Sequence, residues 1–80
     1  MLEELSRANK VVGAKQAKRA LSGGQARKVF LAGDADPRVT GPLAELAGER
    51  GVPVEQVPSM KALGAACGIA VGSAAAVIVP

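Results

Sequence analysis

The chain has 80 residues, with ten Lys/Arg, seven Asp/Glu, no histidine and one cysteine, Cys67, for a formal charge of +3. That length makes one domain, residues 1–80, with a modest core, and the inventory excludes an internal disulfide and a Cys/His metal site. Half of the residues are apolar, many of them alanine, and Phe30 is the only aromatic. Such a core suits helices packed closely on a sheet.

In chain order, Leu2, Leu5 and Ala8 predict a short amphipathic helix. Lys10-Val11-Val12-Gly13 reads as a short strand and turn. Ala14 to Leu21 is a helix of good formers, ended by Ser22-Gly23-Gly24. Lys28 to Ala32, centred on Val-Phe-Leu, predicts a buried strand with Phe30 inside. Gly33 to Pro37 is a turn into a helix running to about Arg50, with Val39, Leu43, Leu46 and Ala47 on one face. Pro42 is expected in its first turns, where a missing N–H costs little, and Gly51 stops it. Val54 to Val57 is a strand. Ser59 caps a helix from Met60 to about Cys67, which Gly68 closes, and Ala74 to Val79 is the last strand. Helices and strands alternate from the first element to the last. That pattern predicts an α/β fold, a three-layer α/β/α sandwich around a small central sheet of about four strands.

The charge is one-sided. Residues 1–28 carry seven bases against Glu3 and Glu4, and from Lys10 to Lys28 there are six bases and no acid. Residues 29–80 carry three bases against five acids. A basic segment of this kind is the footprint of a nucleic-acid partner, and equally of a solvated face. The N-terminus has acids early and no long apolar run, unlike a secretory signal. The most apolar stretch, Ile69 to Val79, is too short to span a membrane and is broken by Gly72 and Ser73. A cytoplasmic, soluble, monomeric protein that needs no cofactor is expected.

Leu21-Ser22-Gly23-Gly24-Gln25 matches the short signature of ABC-type ATPases. That signature works beside a phosphate-cradling GxxxxGK[ST] loop, which the chain lacks. Here the motif follows a helical run and precedes a strand, so its glycines read as a C-cap and turn. Without a histidine or a partner base, Cys67 reads as a small apolar helix residue rather than a nucleophile. Asp34 and Asp36 fit a turn or a helix N-cap.

Gly13-Ala14 places a tight turn at a helix start, where free N–H groups and the positive helix end can face phosphate or a base edge. Lys15 and Arg19 are i,i+4 neighbours and Gln16 lies three residues before Arg19, so they cluster on one side while Ala17 and Leu21 turn inward. Two cations with an amide between them can hold phosphates and read a purine edge. With no Tyr or Trp, single-strand binders that stack bases on aromatics are disfavoured.

Three segments carry a resemblance: Val12-Gly13-Ala14-Lys15-Gln16-Ala17-Lys18-Arg19, Val29-Phe30-Leu31-Ala32-Gly33-Asp34-Ala35-Asp36-Pro37, and Val57-Pro58-Ser59-Met60-Lys61-Ala62-Leu63-Gly64-Ala65-Ala66-Cys67-Gly68-Ile69. In this order and spacing the chain resembles the L-seven-Ae family of ribosomal and RNP proteins, above all its short bacterial members. The resemblance implies an α/β/α sandwich, without catalytic activity, that binds kink-turn RNA, a bent internal loop with tandem sheared G·A pairs and an extruded nucleotide. The implied RNA is ribosomal RNA, a riboswitch or another structured RNA. In archaeal and eukaryotic members the first motif reads Gly-x-Asn-Glu-x-x-Lys. Gly13 and Arg19 match its ends, and Lys15 and Gln16 take the Asn and Glu positions as in the bacterial branch. The implied RNA-binding residues are Gly13, Ala14, Lys15, Gln16, Lys18 and Arg19, with Ile69 and Val71 covering the extruded nucleotide and Asp36 approaching it. Two other readings stand beside this one: a ribosome-associated protein-docking module with weak RNA affinity, and, last, a small nucleotide-binding enzyme fragment.

Overall fold

The computed structural model describes residues 2–80 apart from the Leu2 side chain, so the expected place of Leu2 on an apolar helix face lies outside the described residues. Four helices and four strands alternate: α1 (Leu2–Arg7), β1 (Lys10–Val12), α2 (Ala14–Ser22), β2 (Lys28–Ala32), α3 (Pro37–Glu49), β3 (Val54–Val57), α4 (Met60–Ala66) and β4 (Ala75–Ile78). Each strand and helix lies within a residue or two of its expected span.

The strands form one sheet in the order β1-β4-β2-β3. Strand β4 runs antiparallel to both β1 and β2, with Val11 opposite Val77 and Phe30 opposite Ala76. Strands β2 and β3 are parallel, with Leu31 opposite Gln56. Hence β1, β2 and β3 all point one way and β4 points the other.

The period-two alternation of a strand assigns each side chain a layer. Val29 and Leu31 of β2, with Ala75 and Val77 of β4, face α2 and α3, where Ala17, Leu21, Leu43 and Ala47 meet them. Phe30 and Ala32, with Ala76, face the other way onto Leu5 of α1 and Leu63 of α4. This is the three-layer α/β/α sandwich that the element order predicts. Phe30, Leu5, Leu21 and Leu63 are fully buried, each such side chain contributing about 1.5–3 kcal/mol.

Two expectations for the third helix are corrected. It begins at Pro37, which takes N1 behind the Asp36 cap, so Pro42 is its sixth residue and stands inside the helix. Pro42 has no N–H to donate to the Arg38 carbonyl. Gly41 before it has no Cβ, which relieves the clash a residue meets in helical conformation ahead of proline. Val39 is 37% exposed rather than part of the inner face. Val39 instead lines a groove shared with Ala14, Lys15 and Lys18 of α2.

The ATPase-like pentapeptide is the end of α2. Leu21 is buried, Ser22 is the last helical residue, and Gly24 takes φ +73° while its N–H donates to the Leu21 carbonyl at 3.3 Å.

Candidate nucleic-acid interface

Because β1, β2 and β3 run the same way, their carboxyl ends share one end of the sheet with the amino ends of α2, α3 and α4. The loop 68–74, which feeds the antiparallel β4, arrives at this same end. Backbone hydrogen bonds tie the connections together: the Gly13 N–H donates to the Ala75 carbonyl at 2.8 Å, the Ala32 N–H to Ala74 at 2.9 Å, and the Gly33 N–H to Val57 at 2.7 Å. The three segments that carry the sequence resemblance therefore meet here.

Capping distinguishes the three helix starts. Asp36 caps α3, its Oδ1 accepting from the Arg38 N–H at 2.9 Å. Ser59 caps α4, its Oγ accepting from the Ala62 N–H at 3.0 Å, and Asp34 Oδ1 accepts from the Met60 N–H at 2.7 Å. The cap of α2 is Gly13, at φ 104° and ψ 152°, with no side-chain cap bond and no acid in the first turn. A helix start has N–H groups without intrahelical partners and a positive partial charge. In α2 no side chain caps these donors, and Lys15, which the dipole disfavours at that end, adds a full positive charge. Gly13 is required by its backbone, since side chains rarely adopt that φ.

Lys15, Gln16, Lys18 and Arg19 are exposed on α2, opposite the buried Ala17 and Leu21. An open groove of about 280 Å³ lies between α2 and α3, lined by Ala14, Lys15, Lys18, Arg38, Val39, Pro42 and Leu43.

The loop before β4 presents the apolar part. Val71 is 70% exposed and Ile69 is 37% exposed, so neither is ordinary core, and Met60 is exposed beside them. The loop is seated tightly on α4. A Cβ built on Gly64 would stand 2.1 Å from the Val71 carbonyl oxygen, and one on Gly72 would stand 3.1 Å from the Met60 Cβ. The Ser73 N–H donates to the Met60 carbonyl at 3.0 Å, and its hydroxyl to the Ala75 carbonyl at 2.7 Å.

Asp36 stands at the same end, but its carboxylate is engaged. Arg38 Nη2 donates to Oδ2 at 2.9 Å and Nε to the same oxygen at 3.1 Å. The hydrogen bonds from the Arg38 side chain and backbone hold the Asp36 carboxyl below its usual range. Burial pushes the Cys67 thiol up, away from the reactive thiolate. Among the described residues, no group of three or more His, Cys, Asp or Glu could hold a metal, and no helix is long and apolar enough to cross a membrane.

Sequence reasoning missed Arg38 and Met60. Arg38 had a local signal, its place two residues after a helix-capping aspartate with Pro37 between them. Met60 had none, since whether an N1 methionine faces the core or the loop is a tertiary matter.

A mixed four-stranded sandwich with three helix amino ends gathered at one end, one of them basic and uncapped, defines an α/β binding module. The model of the Ribosomal protein L7Ae/L30e/S12e/Gadd45 family matches residues 2–80. The chain belongs to this family. It is 52% identical over 69 residues to an RNA-binding protein of Geobacillus sp. (strain WCH70), covering 86% of this chain and 84% of that one. It is 47% identical over 77 residues to the RNA-binding protein YbxF of Geobacillus stearothermophilus, covering 95% and 94%. Among solved structures, a Giardia lamblia 15.5 kD RNA binding protein superposes with a TM-score of 0.87 at 30% identity, covering 99% of this chain and 68% of that one.

Proposed function

We propose that this chain is a non-enzymatic RNA-binding protein that recognises and stabilises kink-turn RNA, in ribosomal RNA, a riboswitch or another structured RNA of the cytoplasm. The observation that carries the reading is the uncapped, acid-free start of α2 bearing Lys15, Gln16 and Arg19, at the same end of the sheet as the exposed apolar loop of Ile69 and Val71. The RNA-binding relatives support the class of ligand. Gly13 and Ala14 bring the free N–H groups close to the RNA. Lys15, Lys18 and Arg19 hold phosphates, and Gln16 offers both a donor and an acceptor to a purine edge. Ile69 and Val71 cover the extruded nucleotide, and Asp36 stands at the margin of that contact. RNA is commonly read at such distorted, unstacked places. With Phe30 buried in the sheet, the covering surface is aliphatic. Binding the bent conformer better than the extended one shifts the population toward the kink.

The test is a gel-shift titration on a kink-turn duplex beside the same duplex with its tandem G·A pairs changed to Watson–Crick pairs. Tight binding to the first and weak, salt-sensitive binding to the second is expected. Equal binding to both would reduce the site to a general electrostatic patch.

The exposed apolar residues Met60, Ile69 and Val71 also favour a second reading, a ribosome-associated protein-docking module. Association that survives nuclease treatment, from a protein with no RNA affinity in isolation, would select it.

A further inference from the structure

Resting on the RNA-binding reading, we propose that the α2–α3 groove is a second RNA contact, which receives a backbone phosphate between Lys15 and Lys18 of α2 and Arg38 of α3. Asp36 acts there as a positioning residue that sets the Arg38 guanidinium.

The geometry of Arg38 carries the argument. Its side chain is 90% exposed, and a long exposed side chain ordinarily samples many rotamers. Here the guanidinium is fixed along one edge, where Nε and Nη2 donate to the Asp36 carboxylate at 2.9–3.3 Å. Asp36 is itself held, because the same Oδ1 caps α3. A guanidinium has five N–H donors, so the Nη1 edge remains free and pre-oriented. Bidentate recognition of phosphate is the chemistry this fork suits.

The groove supplies the rest. Lys15 and Lys18 line it from the other side, and Ala14, Val39, Pro42 and Leu43 give it an apolar floor. Charge selects the occupant: three cations with one paired carboxylate leave the site net positive, as an anionic backbone requires. Lys15 belongs both to this groove and to the open start of α2, so one RNA strand can follow α2 from its amino end into the groove. The exposure of Val39 and the displacement of Pro42 into the helix are then features of the groove floor.

The test compares Arg38→Ala with Arg27→Ala on the kink-turn duplex across a salt series. Arg27 is exposed at the start of β2, the opposite end of the sheet, and its loss changes the net charge equally. One lost phosphate contact should lower the slope of log affinity against log salt by about 0.7–0.9. Between 50 and 200 mM salt, the ratio of wild-type to Arg38→Ala affinity then shrinks about threefold, with little change for Arg27→Ala. Both variants should unfold at the wild-type temperature or close to it. Asp36→Asn keeps an N-cap and probes positioning. Where Arg38 has already been replaced, it removes only repulsion, so it should strengthen binding more there than in the wild type. Equal effects in the two backgrounds would remove Asp36 from the site. Matching slopes for Arg38→Ala, Arg27→Ala and wild type overturn the groove assignment and leave kink-turn recognition standing, provided the wild type still prefers the kinked duplex. A wild type that does not bind the kinked duplex overturns both.

Discussion

Replacing Gly64 by alanine should lift the 68–74 loop from its seat, whereas the same change at Gly48 should stabilise the protein. Both residues lie within helices, α4 and α3. In an open helix, alanine gains up to about 1 kcal/mol over glycine. Nothing lies within 4 Å of a Cβ added to Gly48, so that gain is realised. At Gly64 the new Cβ would meet the Val71 carbonyl oxygen at 2.1 Å, the Val71 carbonyl carbon at 3.0 Å and the Gly72 Cα at 3.1 Å. All three are backbone atoms, so no side chain can rotate away and the loop itself must move. Overpacking of this kind costs about 1–3 kcal/mol. For a domain of this size, each kcal/mol moves Tm by about 4–8 °C. Thermal unfolding by circular dichroism should therefore show Gly64→Ala lower by roughly 5–20 °C and Gly48→Ala a few degrees higher. Below its Tm, Gly64→Ala should also bind the kinked duplex less tightly, because Val71 is displaced. A Gly64→Ala protein as stable as wild type would refute the close seating of the loop on α4.

Gly13→Ala should lower stability by about 1–3 kcal/mol, because φ 104° strains any side chain although the space is open; urea unfolding measures it. Val71→Ser should leave Tm nearly unchanged, since an exposed position contributes within about 0.5 kcal/mol. Losing its methyl groups should weaken binding to the kinked duplex by about 1 kcal/mol, several-fold in a gel shift. Lys15→Ala with Arg19→Ala should lower the salt slope by about 1.5 and abolish tight binding, and an unchanged affinity would disprove the α2 site. Lys28 bridges Glu4 of α1 and Glu55 of β3, the latter at 2.9 Å. Its hydrogen bonds hold both carboxyls below the usual glutamate range, and bonding to Glu4, then Glu55, raises Lys28. Lowered carboxyls stabilise the fold above their ordinary values and lose that contribution as pH falls through the folded ones. The raised lysine contributes below its ordinary value and loses it as pH rises through the folded one. Lys28→Met should therefore flatten the fall of Tm on acidification; an unchanged profile would show that the bridge is idle.

The element order was legible because hydrophobic period and punctuation agreed along the whole chain. Gly23-Gly24, Gly51 and Gly68 closed helices where their local chemistry says they should, and Ser59 opened one. Val39 was misread because helical periodicity reports a face and not how far the sheet extends beneath it. Leu43 and Ala47, one and two turns on, pack with the sheet residues of the core, and Val39 lines the α2–α3 groove. Pro42 was misread because Pro37 competes for the first-turn position and takes it, leaving Gly41 to ease a proline inside the helix. At the interface, α2 was legible because its determinants are contiguous. Arg38 was not, because what matters about it is a carboxylate two residues back and a groove formed by another helix.

The strongest argument for a ligand at α2 is a comparison the molecule makes within itself. Helices α2, α3 and α4 begin at the same end of one sheet, so they face similar solvent and packing. Two of them follow the ordinary rules: Asp36 with Pro37 at N1 starts α3, and Ser59 with Asp34 starts α4. A side-chain cap is worth about 1 kcal/mol over alanine and a few tenths over glycine. Only α2 forgoes it, with a glycine cap; all three helices lack a first-turn acid and carry a base as their second residue, Lys15, Arg38 and Lys61. If α2 served stability alone, the chain would be expected to use there the devices it uses twice nearby. A local rule broken at one place and obeyed beside it points to function. The missing cap leaves N–H donors without a side-chain acceptor, and an anionic partner supplies one. The basic segment from Lys10 to Lys28 divides along the same line. Lys28, at the opposite end of the sheet, is neutralised by Glu4 and Glu55, while Lys15 and Lys18 line an open groove with no acid among its lining residues. Of that segment, Lys15 and Lys18 stand by the open helix start, whereas Lys10, Arg27 and Lys28 stand at the other end of the sheet.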